Sequence, residues 1–310
     1  MRWRWVALSV GAALAGGLVL AVAGAPAERP EWREISPPPL SPRELPTGFW
    51  TGEEVILVGG SDAPPCPPWA ECAIPTVPPL ADGAAYDIET DTWRTIADAP
   101  VRLAWAQAVV VGPTAYLWIP GEPQRPQAPS AFLAYRIDED RWEELEMPTR
   151  EPGWYALAAA GNRIVAVRSS DEVAERPDLV YDPVMSAWRE LPDDPFTPGY
   201  DRVAVGDGQE LLLFDHELAA VAADRPPLRG AAFDFESGAW RELDDPDGAW
   251  ARVGTTVVQA PAPPEVADEA PTTTEVVAGA DRFLFLGSTW PEGDEDGELH
   301  SLAWLMSLGS

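Results

Sequence analysis

Short apolar runs separated by turn residues recur along this chain. Ala108–Val111 and Ala115–Ile119 are split by Gly112-Pro113. The apolar runs 156–160 and 164–167 are split by Gly161-Asn162 in the same way. Because β-rich runs joined by so few residues are typical of hairpins, the pattern predicts an all-β chain.

A second pattern follows each hairpin: an aromatic residue lies seven positions before a tryptophan. The pairs are Tyr86 and Trp93, Tyr135 and Trp142, Tyr181 and Trp188, and Phe233 and Trp240. Successive tryptophans are 49, 46 and 52 residues apart. The hairpin, the aromatic run and the tryptophan run supply four short strands per period, which is the size of one β-propeller blade.

The two ends of the chain complete each other. Trp32 has the fourth-strand pattern but no strands before it, whereas Phe283–Leu286 and Leu299–Leu305 suit second and third strands that lack a fourth. We therefore expect the N-terminal strand to complete the last blade and close the ring, which removes an exposed sheet edge. This arrangement gives about five blades, or six if Ala251–Gln259 belongs to a separate degenerate blade.

The first period resembles a kelch repeat. Gly59-Gly60 closes its second strand, Tyr86-Asp87 lies in its third, and Thr92-Trp93-Arg94 opens its fourth. The other periods keep the aromatic and tryptophan positions without the paired glycines. The resemblance is to degenerate kelch-like repeats of the superfamily that includes the galactose oxidase central domain, and it implies a propeller over nearly all of residues 28–310.

Two insertions interrupt the period, and the first contains both cysteines of the chain. Residues 61–82 and 260–272 are rich in proline and are predicted to be surface loops of the single domain 28–310. The first insertion holds Cys66 and Cys72, for which we expect a local disulfide. Copper radical oxidases among kelch propellers need Tyr, Cys and two His at one metal, so two cysteines in one loop argue against that site. We expect no metal and no cofactor.

The N-terminal segment predicts export. Arg2 and Arg4 precede an uncharged run from Trp5 to Ala27 that ends in an A-x-A pattern. This layout is typical of a signal peptide covering residues 1–27, and an uncleaved membrane anchor is the alternative. We therefore expect a secreted or membrane-anchored extracytoplasmic protein of bacterial type.

The charge of the chain restricts its partners. The formal net charge is -30, and all 21 basic residues are arginines. A nucleic-acid partner is not expected, because phosphate recognition requires a basic surface. The absence of lysine excludes Schiff-base chemistry and phosphate loops that depend on lysine. We expect a monomer whose partner is a protein or a glycan.

The repeated aromatics supply the candidate site. The fourth-strand tryptophans are predicted to fill the gaps between blades. Four further aromatics precede the expected first strands of the next blades: Trp105, Trp154, Tyr200 and Trp250. They are predicted either to wedge neighbouring blades together or to form a ring on which a sugar stacks.

Charged residues add two further candidates. Five arginines are expected on loops beside this ring, where they either cluster to bind an anion or remain dispersed: Arg125, Arg168, Arg176, Arg225 and Arg229. The run 294–298 offers oxygen ligands without EF-hand spacing, so it is interpreted as an acidic turn. Asp87, Asp182 and Asp234 are expected to accept backbone N–H bonds in their turns.

Two functions remain open from the sequence. The first is an extracytoplasmic binding or scaffold module, which is favoured because no catalytic set is recognisable. The alternative is a carbohydrate- or peptide-active enzyme that uses carboxylates, for example Asp171 and Glu172. No catalytic residue is assigned.

Overall fold

The computed structural model describes most of the chain after residue 30. The described ranges are 31–63, 77–121, 130–148, 155–168, 177–196, 199–207, 210–217, 226–253, 272–278, 282–289 and 300–307. The predicted signal segment, Cys66, Cys72 and Trp154 lie outside them.

Nearly all regular structure is β-strand. The strands are β1 (Glu31–Glu34), β2 (Thr47–Trp50), β3 (Glu54–Val58), β4 (Gly83–Asp87), β5 (Thr92–Ile96), β6 (Gln107–Val111), β7 (Thr114–Ile119), β8 (Ala131–Arg136), β9 (Arg141–Leu145), β10 (Tyr155–Ala160), β11 (Arg163–Arg168), β12 (Leu179–Asp182), β13 (Ala187–Glu190), β14 (Gly199–Asp207), β15 (Glu210–Glu217), β16 (Leu228–Asp234), β17 (Ala239–Glu242), β18 (Thr272–Ala278), β19 (Arg282–Thr289) and β20 (His300–Ser307). A 3-10 turn covers Ile137–Glu139, and helix α1 covers Pro246–Val253.

These strands form five antiparallel four-stranded sheets. The first sheet is β2 to β5, the second β6 to β9, the third β10 to β13 and the fourth β14 to β17. The fifth has the order β1-β20-β19-β18. The predicted closure by the N-terminal strand is confirmed: Glu34 pairs with Trp304, and the Ile35 N–H donates to the Ala303 carbonyl at 3.0 Å.

The sheets pack side by side, with their first strands innermost. β18 contacts β2, β2 contacts β6, β6 contacts β10, and β10 contacts β14. Apolar clusters fill the spaces between these sheets, and one such cluster joins Ile56 and Phe49 of the first sheet to Leu117 and Leu133 of the second. The chain is therefore an all-β propeller, as predicted.

The fourth-strand tryptophans connect neighbouring sheets through a repeated hydrogen bond. Each indole N–H donates to a backbone carbonyl of the linker before its own sheet, four residues after the preceding tryptophan of the series. The bonds run from Trp93 to Ser36 at 2.7 Å, from Trp142 to Ala97 at 2.8 Å, from Trp188 to Glu146 at 3.0 Å and from Trp240 to Pro192 at 2.9 Å.

Each tryptophan also packs on the aromatic residue seven positions earlier, its partner on the third strand. The ring centroids lie 4.8 Å apart for Tyr86 and Trp93, and 5.1 Å apart for Tyr181 and Trp188. Burial raises the pKa of Tyr86 to about 12, with a smaller contribution from the Asp91 carboxylate that its hydroxyl contacts. The third-strand aromatics are core residues, and the tryptophans that pack on them are half-buried.

The aspartates beside these aromatics make the turn contacts that the sequence predicts. Asp87 accepts the N–H groups of Glu89 and Thr90, at 2.8 and 3.1 Å. Asp182 and Asp234 accept the equivalent pairs in their own turns. The side chain thus holds the connection between third and fourth strands in a tight turn.

The segment before the fifth sheet differs from the sequence expectation. Ala251, taken as the possible start of a degenerate blade, lies in α1, and residues 254–259 lie outside the described ranges. Thr272, assigned to a loop, begins β18. The helix starts where it does because Asp245 accepts the Gly248 N–H at 3.0 Å and Pro246 suits a first helical position.

Within the described ranges, no helix has the length and apolar character needed to cross a membrane.

Trp188→Phe should lower the free energy of unfolding by about 1 kcal/mol, because the ring is kept and the bond to the Glu146 carbonyl is lost. Trp188→Ala should cost about 3 kcal/mol, since it also removes packing on Phe132 and Tyr181. Urea unfolding measures both. The exposed neighbour Arg189→Ala is the control and should stay within about 0.5 kcal/mol of the parent. If Trp188→Phe matched the parent, the hydrogen bond would not contribute to stability.

Candidate functional site

The predicted site lies at one end of the sheets. In every sheet the first strand begins, and the second strand connects to the third, at the same end, which we call the loop face. The turns between first and second strands and between third and fourth strands lie at the opposite end, which we call the turn face. Trp105 and Tyr200 are the predicted site residues that the structure describes at the loop face.

Trp105 is held in an unusual backbone conformation. It is half-buried two residues before β6, and its φ is 62°. A bulky residue seldom adopts this left-handed region. The backbone is fixed on both sides: the Leu103 carbonyl accepts the Gly60 N–H at 2.8 Å, and the Ala106 carbonyl accepts the Thr47 hydroxyl at 3.4 Å.

Tyr200 lies inside β14 rather than before it, because the strand starts at Gly199. The pairing of β14 with β15 shifts between Tyr200 and Val203, and Asp201 has a φ of 51°. This bulge inserts an extra residue into β14. As a result, Tyr200 pairs with His216 on one side of the sheet while Arg202 reaches the other side.

Trp250 is not at the start of a strand, which corrects the prediction. It lies in α1, where its ring packs edge-on against Phe214 with centroids 5.1 Å apart. Phe214 and His216 alternate with Asp215 along β15, so they share one side of the fourth sheet. Tyr200 and Trp250 therefore lie on the same side of that sheet.

The described aromatics lie at different sheets, as members of a ring around the propeller axis must, and the predicted ring stays a prediction. Trp105 lies at the junction of the first and second sheets, because its neighbours contact Thr47 and Gly60 there. The third sheet separates this junction from the fourth sheet, which carries Tyr200 and Trp250. Trp154 lies outside the described residues. The structure therefore describes two separate aromatic positions at the loop face, Trp105 and Tyr200.

A buried ion network lies behind Tyr200, between the third and fourth sheets. The side chain of Arg202 is 0% exposed. Its Nη2 lies 2.8 Å from an Asp178 oxygen and 2.9 Å from an Asp194 oxygen. Its Nε donates to the Arg168 carbonyl at 3.1 Å, and its Nη1 lies 3.8 Å from Asp215.

Two further arginines complete this network. Arg168 contacts Asp178 at 3.2 Å, and Arg229 forms a two-bond pair with Asp215 at 2.8 and 2.9 Å. Three arginines thus face three aspartates, and the network is formally neutral. Arg168 and Arg229, predicted as loop charges, are held in ion pairs, while Arg125, Arg176 and Arg225 lie outside the described residues.

The carboxylates that converge in this network cannot act on a substrate as an acid–base pair. Burial raises the pKa of Asp178 and of Asp215, and Arg202 offsets part of both shifts. Both side chains are at most 5% exposed and bonded to arginines. A general acid must reach its substrate, so these two carboxylates support a structural role. Asp171 and Glu172 lie outside the described residues.

The first sheet has a smaller version of the same arrangement. Arg43, in the linker before β2, forms a two-bond pair with Asp82 at 2.8 and 2.9 Å and donates to the Gly59 carbonyl at 3.2 Å. This guanidinium holds the pKa of Asp82 below its usual value. Asp82 and Asp178 each lie one residue before the third strand of a sheet. Arg43 reaches the carboxylate of its own sheet, whereas Arg202 reaches Asp178 of the preceding sheet from the first strand of the next one.

Sequence reasoning missed Arg202, Asp178, Asp194 and Asp215 as a group. Two signals were present: an arginine among the apolar residues of β14, and an aspartate ending the apolar run of β15. A charged residue at such a position needs a partner when it is buried. No group of His, Cys, Asp and Glu suited to holding a metal ion occurs among the residues that the structure describes.

A cavity of about 370 Å³ lies on the same side of the fourth sheet as Tyr200, at the start of α1. Leu212, Leu243 and Ala249 form its apolar lining, and Asp244 and Arg241 are among its polar lining residues.

Comparisons with known proteins give no family. No protein-family model and no curated protein matches the chain. One similar solved structure is that of YjhT; it is 12% identical, has a TM-score of 0.44, and the match covers 87% of this chain and 82% of that chain. A likeness this distant carries no functional conclusion.

Arg202→Met should lower the free energy of unfolding by about 3 to 5 kcal/mol, because Asp178 and Asp194 lose their shared buried partner. The control Arg241→Met breaks the exposed pair with Glu210 and should cost at most about 1 kcal/mol.

The deficit of Arg202→Met should shrink as the pH falls. Without the arginine, the folded-state pKa of Asp178 rises further above its unfolded value, so the folded state binds more protons and gains stability below that pKa. Urea unfolding at pH 7 and pH 5 measures the change. A deficit that grew at pH 5 would contradict the assigned role of Arg202.

Proposed function

We propose that this chain is an exported, non-catalytic binding module of the kelch type that holds a carbohydrate or protein ligand at its loop face. The observation that carries the proposal is the placement of Trp105 and Tyr200. Both are half-buried aromatics at the loop face, and a non-glycine residue with positive φ is found at or beside each one.

Strained backbone of this kind persists only where the surrounding structure holds it, and it is found preferentially at binding and catalytic sites. Trp105 is fixed by hydrogen bonds of Gly60 and Thr47, and Tyr200 by the bulge above the Arg202 network. Aromatic rings offer a large apolar surface with little loss of side-chain entropy. Such rings suit both the flat side of a sugar and an apolar side chain of a protein.

The described carboxylates favour binding over catalysis. Those that converge from different sheets, Asp178 and Asp215, are buried and paired with arginine. The proposal includes the export signal over residues 1–27 and the disulfide between Cys66 and Cys72, both argued from sequence.

Array binding tests the ligand contact. The purified protein should bind a subset of glycans, and Trp105→Ala, Trp154→Ala or Tyr200→Ala should weaken that binding about tenfold or more, because a stacking surface is lost. Met185→Ala is the control, since Met185 is 72% exposed in a turn between third and fourth strands, at the turn face. Equal binding by the parent and the aromatic variants, with thermal unfolding unchanged, would show that the ligand does not contact these aromatics.

Mass spectrometry of the protein recovered after export from a bacterial host tests the export signal and the disulfide. The chain should begin at residue 28, and its mass should be lower by two hydrogens than that of the reduced chain. A retained N-terminus would indicate the anchor, and alkylation of both cysteines without prior reduction would contradict the disulfide.

A further inference from the structure

The strongest unassigned feature at the loop face is a pair of rings on the fourth sheet. Tyr200 and His216 are directly paired across β14 and β15, with ring centroids 5.5 Å apart and planes inclined by 37°. Both side chains are half-buried, so part of each ring faces solvent. The two rings together form a short platform at the edge of the sheet.

The imidazole of His216 has a defined hydrogen-bonding role. Its Nδ1 lies 3.1 Å from the Pro227 carbonyl oxygen. A carbonyl oxygen only accepts hydrogen bonds, so Nδ1 carries the proton. In the neutral ring the other nitrogen, Nε2, is then an acceptor. The platform thus combines the aromatic side of Tyr200 with one acceptor nitrogen.

The platform is rigidly supported from behind. Asp215, between Phe214 and His216 on β15, points to the opposite side of the sheet and pairs with Arg229. A Cβ at Gly199 would overlap this Asp215 carboxylate, so the start of β14 is packed closely against it. Buried ion networks add little net stability compared with apolar packing. Fixing the position of the platform is a role that suits the network around Arg202.

Local charge selects among ligands. The three arginines and three aspartates of the network neutralise one another. Of the described residues adjacent in sequence to the two rings, Asp201 is exposed and adds negative charge, whereas alternation along β15 places Glu217 on the opposite side of the sheet from His216. An anionic sugar is repelled at such a position, whereas a neutral sugar is not.

From these observations, and resting on the binding function proposed above, we propose that Tyr200 and His216 form a subsite for a neutral sugar. The C–H groups of the sugar pack on Tyr200, and one sugar hydroxyl donates a hydrogen bond to His216 Nε2. The Asp201 carboxylate disfavours uronic acids. His216 is thereby the residue that distinguishes a hydroxyl donor from a purely apolar ligand.

Isothermal titration of the full protein with matched hexasaccharides tests this subsite. The probes are cellohexaose, xylohexaose, mannohexaose and chitohexaose as neutral ligands, and hexagalacturonate as the anionic one. At least one neutral hexasaccharide should bind, and hexagalacturonate should bind more weakly because of the Asp201 carboxylate.

The variants separate stacking from hydrogen bonding. His216→Phe keeps a ring without an acceptor, and His216→Asn keeps a donor toward Pro227 without Nε2; both should weaken binding about threefold to tenfold, which is the loss expected for one neutral hydrogen bond. Tyr200→Phe should bind like the parent, and Tyr200→Ala should weaken binding about tenfold or more. Met185→Ala is the matched control, and circular dichroism with thermal unfolding shows that each variant is folded.

Three outcomes would overturn the subsite. These are parental affinity in both His216 variants, hexagalacturonate affinity equal to that of the neutral sugars, and no binding of any neutral hexasaccharide. If the His216 variants kept parental affinity while Trp105→Ala lost binding, the proposed function would stand and this inference alone would fail. If no saccharide bound but binding of a protein partner required Trp105, the proposed function would again stand and this inference alone would fail.

Discussion

The rest of this structure depends on one constraint: the middle strands of the first four sheets are buried on both sides, so each of these sheets needs cover on either side. In the second sheet every residue of β7 is buried, and in the third sheet the four central residues of β11 are buried. Such strands cannot face water on one side, as many antiparallel sheets do. Stacking the sheets in sequence, with the first strands innermost, satisfies this requirement.

The indole hydrogen bond gives that stacking a defined geometry. Apolar contact alone lets two sheets slide, because it is not directional. A bond from each fourth-strand tryptophan to one carbonyl of the preceding linker fixes how far one sheet is displaced along the next. The same tryptophan anchors the third strand of its own sheet through its ring contact with Tyr135 or Tyr181. One side chain thus sets the geometry within a sheet and between two sheets.

The repeat was predictable because it depends on local spacing. The third and fourth strands are joined by a tight turn, so Tyr86 and Trp93 are cross-strand partners and must be seven residues apart. The segment that follows Trp240 could not be predicted in the same way. Trp250 has nearly the same spacing from the preceding tryptophan as the aromatics of the other linkers. It nevertheless lies in a helix, which Asp245 caps and which its ring contact with Phe214 holds against the fourth sheet.

The candidate site was predictable only in part, because its geometry depends on a bulge. Aromatic spacing identified Trp105 and Tyr200. The alternation of sides along a strand would place Tyr200 and Arg202 on the same side of the sheet. The shifted register between Tyr200 and Val203 sends them to opposite sides, and only then does Arg202 meet Asp178 and Asp194. No local pattern in the sequence announces that extra residue.

The pairing of β1 with β20 has a consequence for how the protein acquires its structure. These strands come from opposite ends of the described chain, yet they are neighbours in one sheet. Loop-closure entropy must be lost before such a distant contact contributes, so pairings of this kind form slowly. During synthesis β1 emerges first and has no partner until His300–Ser307 has followed it. The fifth sheet is therefore completed only after almost all of the described chain has been synthesised, and until then Glu31–Glu34 is a strand without its native partner that a chaperone can hold in an extended state.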